Sequence, residues 1–155
     1  VEINTTRSIS AQLLRHRSFS FQEFSQRYAD VEGLDLPKPP ELRLQDPKNR
    51  QNSLETDEID KLNWQATIQL HYSKCYRLYK NLLKDGVAKE CAREVLPMGT
   101  PTRLYMNGTL RSWIHYCDLR CGNGTQKEHR GIALDIKQLI KQNYPQVYEV
   151  ISRFG

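Results

Sequence analysis

What this chain lacks narrows its class before any motif is read. No apolar run approaches the roughly 20 residues that a membrane-crossing helix needs, and no basic start leads into an apolar middle. No internal repeat or low-complexity tract is present. Cysteine is sparse: Cys75, Cys91, Cys117 and Cys121 are too few for a disulfide scaffold at this length, so reduced thiols in a cytoplasmic compartment are expected. His71 and Cys75 lie one turn apart, as do Cys117 and Cys121, yet neither pair has a second pair to complete a tetrahedral set. No metal site is expected.

What remains is a polar chain of 155 residues, 38% hydrophobic, with a mean hydropathy of -0.71. That length suits a single domain, 1–155, with a core of its own. A net charge of +5 and a pI near 9.1 favour anionic partners: nucleotides, phosphorylated cofactors or nucleic acid. Charge alone does not choose among them. The chain starts at Val1, without a methionine, inside a strand-like alternation. The N-terminal boundary is therefore read as that of a truncated or partial chain.

Periodicity places the elements. Val1 to Thr6 alternates as a half-buried strand. Ser8 caps a helix carrying Gln12, Arg15 and His16, a polar loop follows through Ser20, and Gln26 to Val31 returns as a strand. Residues 32–56 hold Pro37, Pro39, Pro40 and Pro47 and predict an extended excursion, with one short strand around Leu42 to Gln45. A surface loop is favoured there over an arm that reaches a neighbouring subunit. From Asp57 a helix follows whose stripe of Trp64, Ile68, Tyr72, Cys75, Tyr79, Leu82 and Leu83 reads as core, ended by a left-handed Gly86. A second helix buries Ala88, Cys91, Ala92, Val95 and Leu96, and Pro97 stops it. Pro101 to Thr109 is extended, and Thr109 caps a helix from Leu110 to Arg120. On that helix Arg111, His115 and Asp118 share a face and Arg120 points nearly the other way. Thr125 and Glu128 have the spacing of a capping box ahead of a helix with Ile132, Leu134, Ile136, Leu139 and Ile140 inside. Val147, Val150 and Ile151 fit one last amphipathic helix beyond Pro145.

The densest chemistry lies between Arg15 and Tyr28. Three arginines, a histidine, a glutamate and three serines stand there among aromatics. Arginine forks pair bidentately with phosphate, and Glu23, Ser25 and Gln26 offer groups that read a pyrimidine edge or a sugar hydroxyl. The same residues suit a basic nucleotide- or nucleic-acid-binding module without catalysis, in which Phe19, Phe21 and Phe24 stack on bases.

Arg15-His16-Arg17, seven residues and then Ser25 resembles the signature of the flavin-dependent thymidylate synthases. Further blocks follow in family order. Cys91 to Pro97 is similar to the family's Ala-Arg-x-x-Leu-Pro segment, Asn107 to His115 to the segment after it, Leu119-Arg120 to its arginine near the helix end, and Gln126-Lys127-Glu128 to its Gln-x-Glu. Arg50 to Ser53 is similar to a branch found in cyanobacteria and large DNA viruses. The resemblance implies an α/β (α+β) fold, with a small antiparallel or mixed sheet flanked by several helices, assembled as a homotetramer with active sites shared between subunits. It implies conversion of dUMP to dTMP with methylenetetrahydrofolate as one-carbon donor, FAD as hydride carrier and NADPH as reductant, in the cytoplasm of a bacterium or, for a viral chain, of its host cell. No membrane or nucleic-acid partner is implied.

By the same resemblance, Gln12, Glu23, Ser25, Gln26 (through its backbone), Arg27, Arg93 and Arg120 are the dUMP-binding set. Arg27 and Arg93 meet phosphate, and Arg120 is the catalytic residue that stabilises charge on the ionised base. Arg15, His16, Arg17, Ser18, Thr109, Arg111 and His115 are the FAD contacts. Thr109 and His115 stand where many or some relatives have asparagine, and a family N-terminal segment that carries flavin-binding residues is absent from these 155 residues. An inactive structural homologue is the third reading.

Overall fold

The computed structural model describes residues 1–28 and 36–153, and side chains through residue 149. Three strands form one antiparallel sheet: β1 (Glu2–Thr6), β2 (Ser20–Glu23) and β5 (Pro101–Asn107), in the order β1-β5-β2. Ile3 sits opposite Leu104 and Phe21 opposite Met106, so the last strand in sequence is the middle one in space. In β5 Thr102, Leu104 and Met106 are buried while Arg103 and Tyr105 face solvent, the alternation of a sheet covered on one side. Tyr105 and Arg103 answer Glu2 and Asn4 across the exposed face.

The buried face packs on helices α1 (Arg7–Leu13), α4 (Leu110–Arg120) and α5 (Lys127–Asn143). Ile9 and Leu13, Trp113, Tyr116 and Cys117, and Ala133, Ile136 and Ile140 close the core around Ile3, Leu104 and Met106. Helix α6 (Pro145–Arg153) adds Val147 at its edge. This is the small antiparallel sheet flanked by helices that the sequence implies.

A second, smaller core lies under the end of α2 (Lys61–Lys84), where Tyr79 and the Ala92 of α3 (Lys89–Ala92) meet Leu82, Leu83, Val95 and Leu96. Only Tyr79 of the expected α2 stripe is buried, and Trp64 is 54% exposed. The helix is about 36 Å long, and among the described residues its first turns have little to pack against. Gly86 does take the left-handed turn, at φ 81°.

Elsewhere the elements differ in detail from the periodic reading. Helix α1 ends at Leu13, and His16 lies in the turn beyond, its N–H bonded to the Leu13 carbonyl at 3.0 Å. The stretch after it contains β2, which alternation hidden among polar residues did not reveal. Residues 26–28 form a turn rather than a strand, and the rest of the expected Gln26–Val31 strand lies outside the described residues. The helix expected through Leu96 is split into α3 and a 3-10 turn at Arg93–Val95, and Cys91 is exposed. Leu134 and Leu139 of α5 are each 44% exposed, and the buried His129 takes the inner face instead.

The described part of the excursion, residues 36–56, contains a hairpin, β3 (Leu44–Gln45) on β4 (Ser53–Leu54), laid against the start of α5. Arg43 donates to both carboxylate oxygens of Glu128 at 2.7 and 3.0 Å, and Lys127 bridges Glu41 and Glu55 at 2.8 and 2.7 Å. Glu128 is thereby taken from the expected capping box, and Gln126 rather than Thr125 is the N-cap. Two glycines bracket β5. A Cβ at Gly99 would stand 2.6 Å from the Tyr72 hydroxyl, and one at Gly108 2.5 Å from the Phe19 ring.

Leu104→Ala should cost about 2–5 kcal/mol of stability, because the fully buried side chain leaves a cavity between sheet and helices. Leu134→Ala, on the exposed side of α5, should change stability by less than about 0.5 kcal/mol. Urea unfolding of both variants checks the contrast.

Candidate functional site

Helix α1 serves two sides at once. Residues 7, 10, 11 and 14 fall on one stripe at about 100° per residue, and Gln12 projects nearly opposite. The stripe lines an open cleft of about 320 Å³, with Glu23, Gln26 and Arg93 across from it.

Glu23 organises the cleft. Its Oε1 accepts from Ser10 Oγ at 2.6 Å and from Thr102 Oγ1 at 3.0 Å, and its Oε2 stands 2.9 Å from Arg7 Nη1. Three donors hold this carboxylate in one orientation. Gln26, 6% exposed, lines the same cleft, and its Nε2 has no hydrogen-bond partner among the described residues. An orphaned buried donor costs on the order of 1–3 kcal/mol, a deficit that an acceptor entering the cleft would remove. Among the described residues Arg93 has a loose contact, Nε 3.6 Å from Glu94. Ser25 is half-buried beside them, its carbonyl accepting from the Tyr28 N–H at 3.2 Å. Arg27 is exposed and pairs with Glu90 at 3.1 Å, outside the cleft lining.

On the other side of α1, two buried groups hold the remaining motif residues. His129 and Tyr116 are fully buried, with Tyr116 Oη 3.1 Å from His129 Nε2 and Gln12 Oε1 3.2 Å from His129 Nδ1. Arg120 donates from Nε to His16 Nε2 at 3.1 Å, and the His16 ring meets Tyr116 edge-on at 5.0 Å. Burial lowers the pKa of His16, and the nearby Arg120 and His115 lower it further. Burial, with Arg120 and His16 adding to it, lowers His129 to about 4. Burial also raises the Tyr116 phenol and pushes the Cys117 thiol up to about 12. Around neutral pH these two rings and the phenol are therefore uncharged beside the Arg120 cation.

Arg15, Arg17 and Ser18 in the turn after α1, and Arg111 and His115 on α4, are all exposed. Phe19 joins the two elements, packing on Trp113 at 4.5 Å between ring centroids. Thr109 spends its hydroxyl on capping α4, accepting from the Ser112 N–H at 3.2 Å. Phe19 and Phe21 pack against the core, which removes them as a stacking platform for bases. Arg7, Ser10, Thr102, Tyr116 and His129 escaped the sequence reading. A serine and a histidine at positions facing an apolar core were the available signals.

The family model described as "Thymidylate synthase complementing protein" matches residues 1–146. A "Probable flavin-dependent thymidylate synthase" of Paramecium bursaria Chlorella virus 1 is 50% identical over 153 residues, covering 98% of this chain and 70% of that protein. A "Flavin-dependent thymidylate synthase" of Synechocystis sp. is 49% identical over 151 residues, covering 95% of this chain and 67% of that protein. Among solved structures, a UMP/dUMP methylase PolB from Streptomyces cacaoi bound with 5-Br UMP superposes with a TM-score of 0.87 at 25% identity. That match covers 99% of this chain and 72% of the other. Among the described residues no helix is long and apolar enough to cross a membrane.

His129 gives the cluster a defined pH dependence. Its folded pKa lies below the ordinary 6.5, so between about pH 6.5 and 4 the unfolded chain binds the extra proton. Its contribution is fully present above pH 6.5 and is lost as pH falls towards 4, a total of about 3 kcal/mol. His16 acts in the same direction. Urea unfolding free energies measured from pH 7 to pH 4 should fall with pH, and a His129→Asn variant should show a flatter profile.

Proposed function

The chain belongs to the thymidylate synthase complementing protein family, and on that premise we propose that it is a flavin-dependent thymidylate synthase, converting dUMP to dTMP by reductive methylation. The observation that carries this reading is the α1 cleft. A fixed carboxylate at Glu23, an unpartnered buried amide at Gln26 and a loosely held arginine at Arg93 line one opening. Such a set offers an acceptor for sugar hydroxyls, a donor for a carbonyl or phosphate oxygen, and a cation for the phosphate. Ser25 precedes Gln26 in the chain and joins the set on that ground, and Arg27 would reach the cleft by releasing Glu90, an exposed ion pair of small worth. The Gln26 contribution comes from its side chain as well as its backbone.

Arg120 and Gln12 complete the substrate set from the opposite side of α1. The two groups lie on opposite sides of α1, which suits a site shared between subunits of a homotetramer, a neighbouring subunit supplying the second half. The exposed apolar residues of α2, Leu62, Trp64 and Leu70, suit such a contact. Arg120 stabilises negative charge on the ionised pyrimidine, while the neutral His16 holds its Nε.

The residues present fit FAD in their chemistry. Arg15, Arg17, Arg111 and His115 stand exposed on two elements joined by Phe19, a donor set suited to a diphosphate and a flavin edge. When bound, FAD supplies the hydride carrier, with NADPH as reductant and methylenetetrahydrofolate as one-carbon donor. The place of action is the cytoplasm of a bacterium or of a virus-infected host cell.

Incubating the protein with FAD, removing the excess and titrating dUMP should give a flavin absorption spectrum whose bands shift with the nucleotide. A protein that stays colourless would overturn the reading. Arg120→Ala should lower turnover at least about 100-fold while the thermal unfolding transition stays cooperative. Near-normal turnover in that variant would count against the assignment.

A further inference from the structure

An amide side chain has no orientation of its own, because its oxygen and nitrogen are nearly the same shape. Gln12 is held at both ends, and its surroundings decide which end is which. The constraint starts at the surface, where Arg43 has only donors and meets Glu128, an ionised carboxylate that only accepts. The other contact to Glu128, 2.9 Å from Gln126, must then come from the Gln126 Nε2. That turns the Gln126 Oε1 towards Gln12, where it accepts from Gln12 Nε2 at 2.7 Å. Gln12 Oε1 must accept in turn, so His129 carries its proton on Nδ1. The bare Nε2 of His129 then accepts from the Tyr116 hydroxyl. Every bond is forced by the one before it.

We propose that His129 and the Arg43–Glu128 ion pair are positioning residues for the nucleotide, fixing the Gln12 amide so that its second Nε2–H is left for an acceptor oxygen of the substrate. The hairpin of the excursion thereby sets the polarity of a group on the far side of α5's first turn. This rests on the reading of Gln12 as a substrate contact.

Asparagine places its side-chain nitrogen where the histidine Nδ1 stands, and glutamine places its own where Nε2 stands. His129→Asn can therefore keep the donor to Gln12, whereas His129→Gln and His129→Leu cannot. Calorimetric titration with dUMP should show Kd raised about tenfold in His129→Leu and His129→Gln, the scale of one oriented hydrogen bond. His129→Asn should return to within about threefold of the parent protein, and kcat should move less than KM in all three. Imidazole nitrogen NMR of the parent should show His129 neutral with the proton on Nδ1. Glu128→Gln, at the half-exposed end, removes the acceptor-only anchor. It should weaken dUMP binding several-fold and admit the second tautomer, and it decides the matter if the His129 variants fail to fold.

Equal dUMP affinity across the parent, His129→Leu, His129→Gln and Glu128→Gln would overturn the proposal, as would an Nε2-protonated or charged His129 in the parent. A parent protein that binds no dUMP would instead reject the substrate-site reading, and the NMR result would still decide the direction of the hydrogen bonds.

Discussion

The insertion of β5 between β1 and β2 is the contact on which the rest of the structure depends. It joins the first residues of the chain to a strand about a hundred positions later, with the Met106 N–H donating to the Val1 carbonyl at 2.8 Å. Because β1 runs straight into α1 without a loop, fixing β1 fixes α1. Because β5 leads through Gly108 and the Thr109 cap into α4, it also fixes the helix that carries Arg120. Both halves of the candidate site thus take their positions from one set of backbone hydrogen bonds.

The two halves differ in electrostatic character. Around Glu23 the charges are matched and partly open to water, with Arg7 on the carboxylate and Arg93 loosely held nearby. Around His129 the polar groups are neutral, buried and bonded in series, and Arg120 is the cation at their edge. A low-dielectric neutral surround strengthens what one guanidinium does to a developing anion. A hydrated, charged cleft suits phosphate and sugar.

Much of this was legible in the sequence because it rests on local rules. Thr109 as an N-cap, Gly86 as a left-handed residue and the helix from Leu110 to Arg120 follow from short-range geometry, and the structure contains all three. The family itself was legible in the ordered motifs, and the family model and the relatives agree with it. What escaped depends on partners distant in sequence. Trp64 looked like core because α2 is periodic, but periodicity does not say whether the same chain covers the stripe. Glu128 looked like half of a capping box until Arg43, 85 residues away, took its carboxylate. His129 and Ser10 were invisible as site residues because their meaning lies in Gln12 and Glu23, which only the folded chain brings to them.

Gly99 and Gly108 set a limit on how this protein can be stabilised. Replacing glycine by alanine often gains about 0.4–1 kcal/mol by reducing the freedom of the unfolded chain. At Gly122 and Gly124 an added methyl would meet nothing within 4 Å, so steric room exists for that gain. At the two ends of β5 the same change would drive a methyl group into Tyr72 or Phe19. Phe19 also touches the His16 ring edge-on at 6.4 Å, so a methyl at 108 would be felt where Arg120 is held. Entropic stabilisation of this fold therefore has to be sought in its turns and kept away from the ends of its central strand.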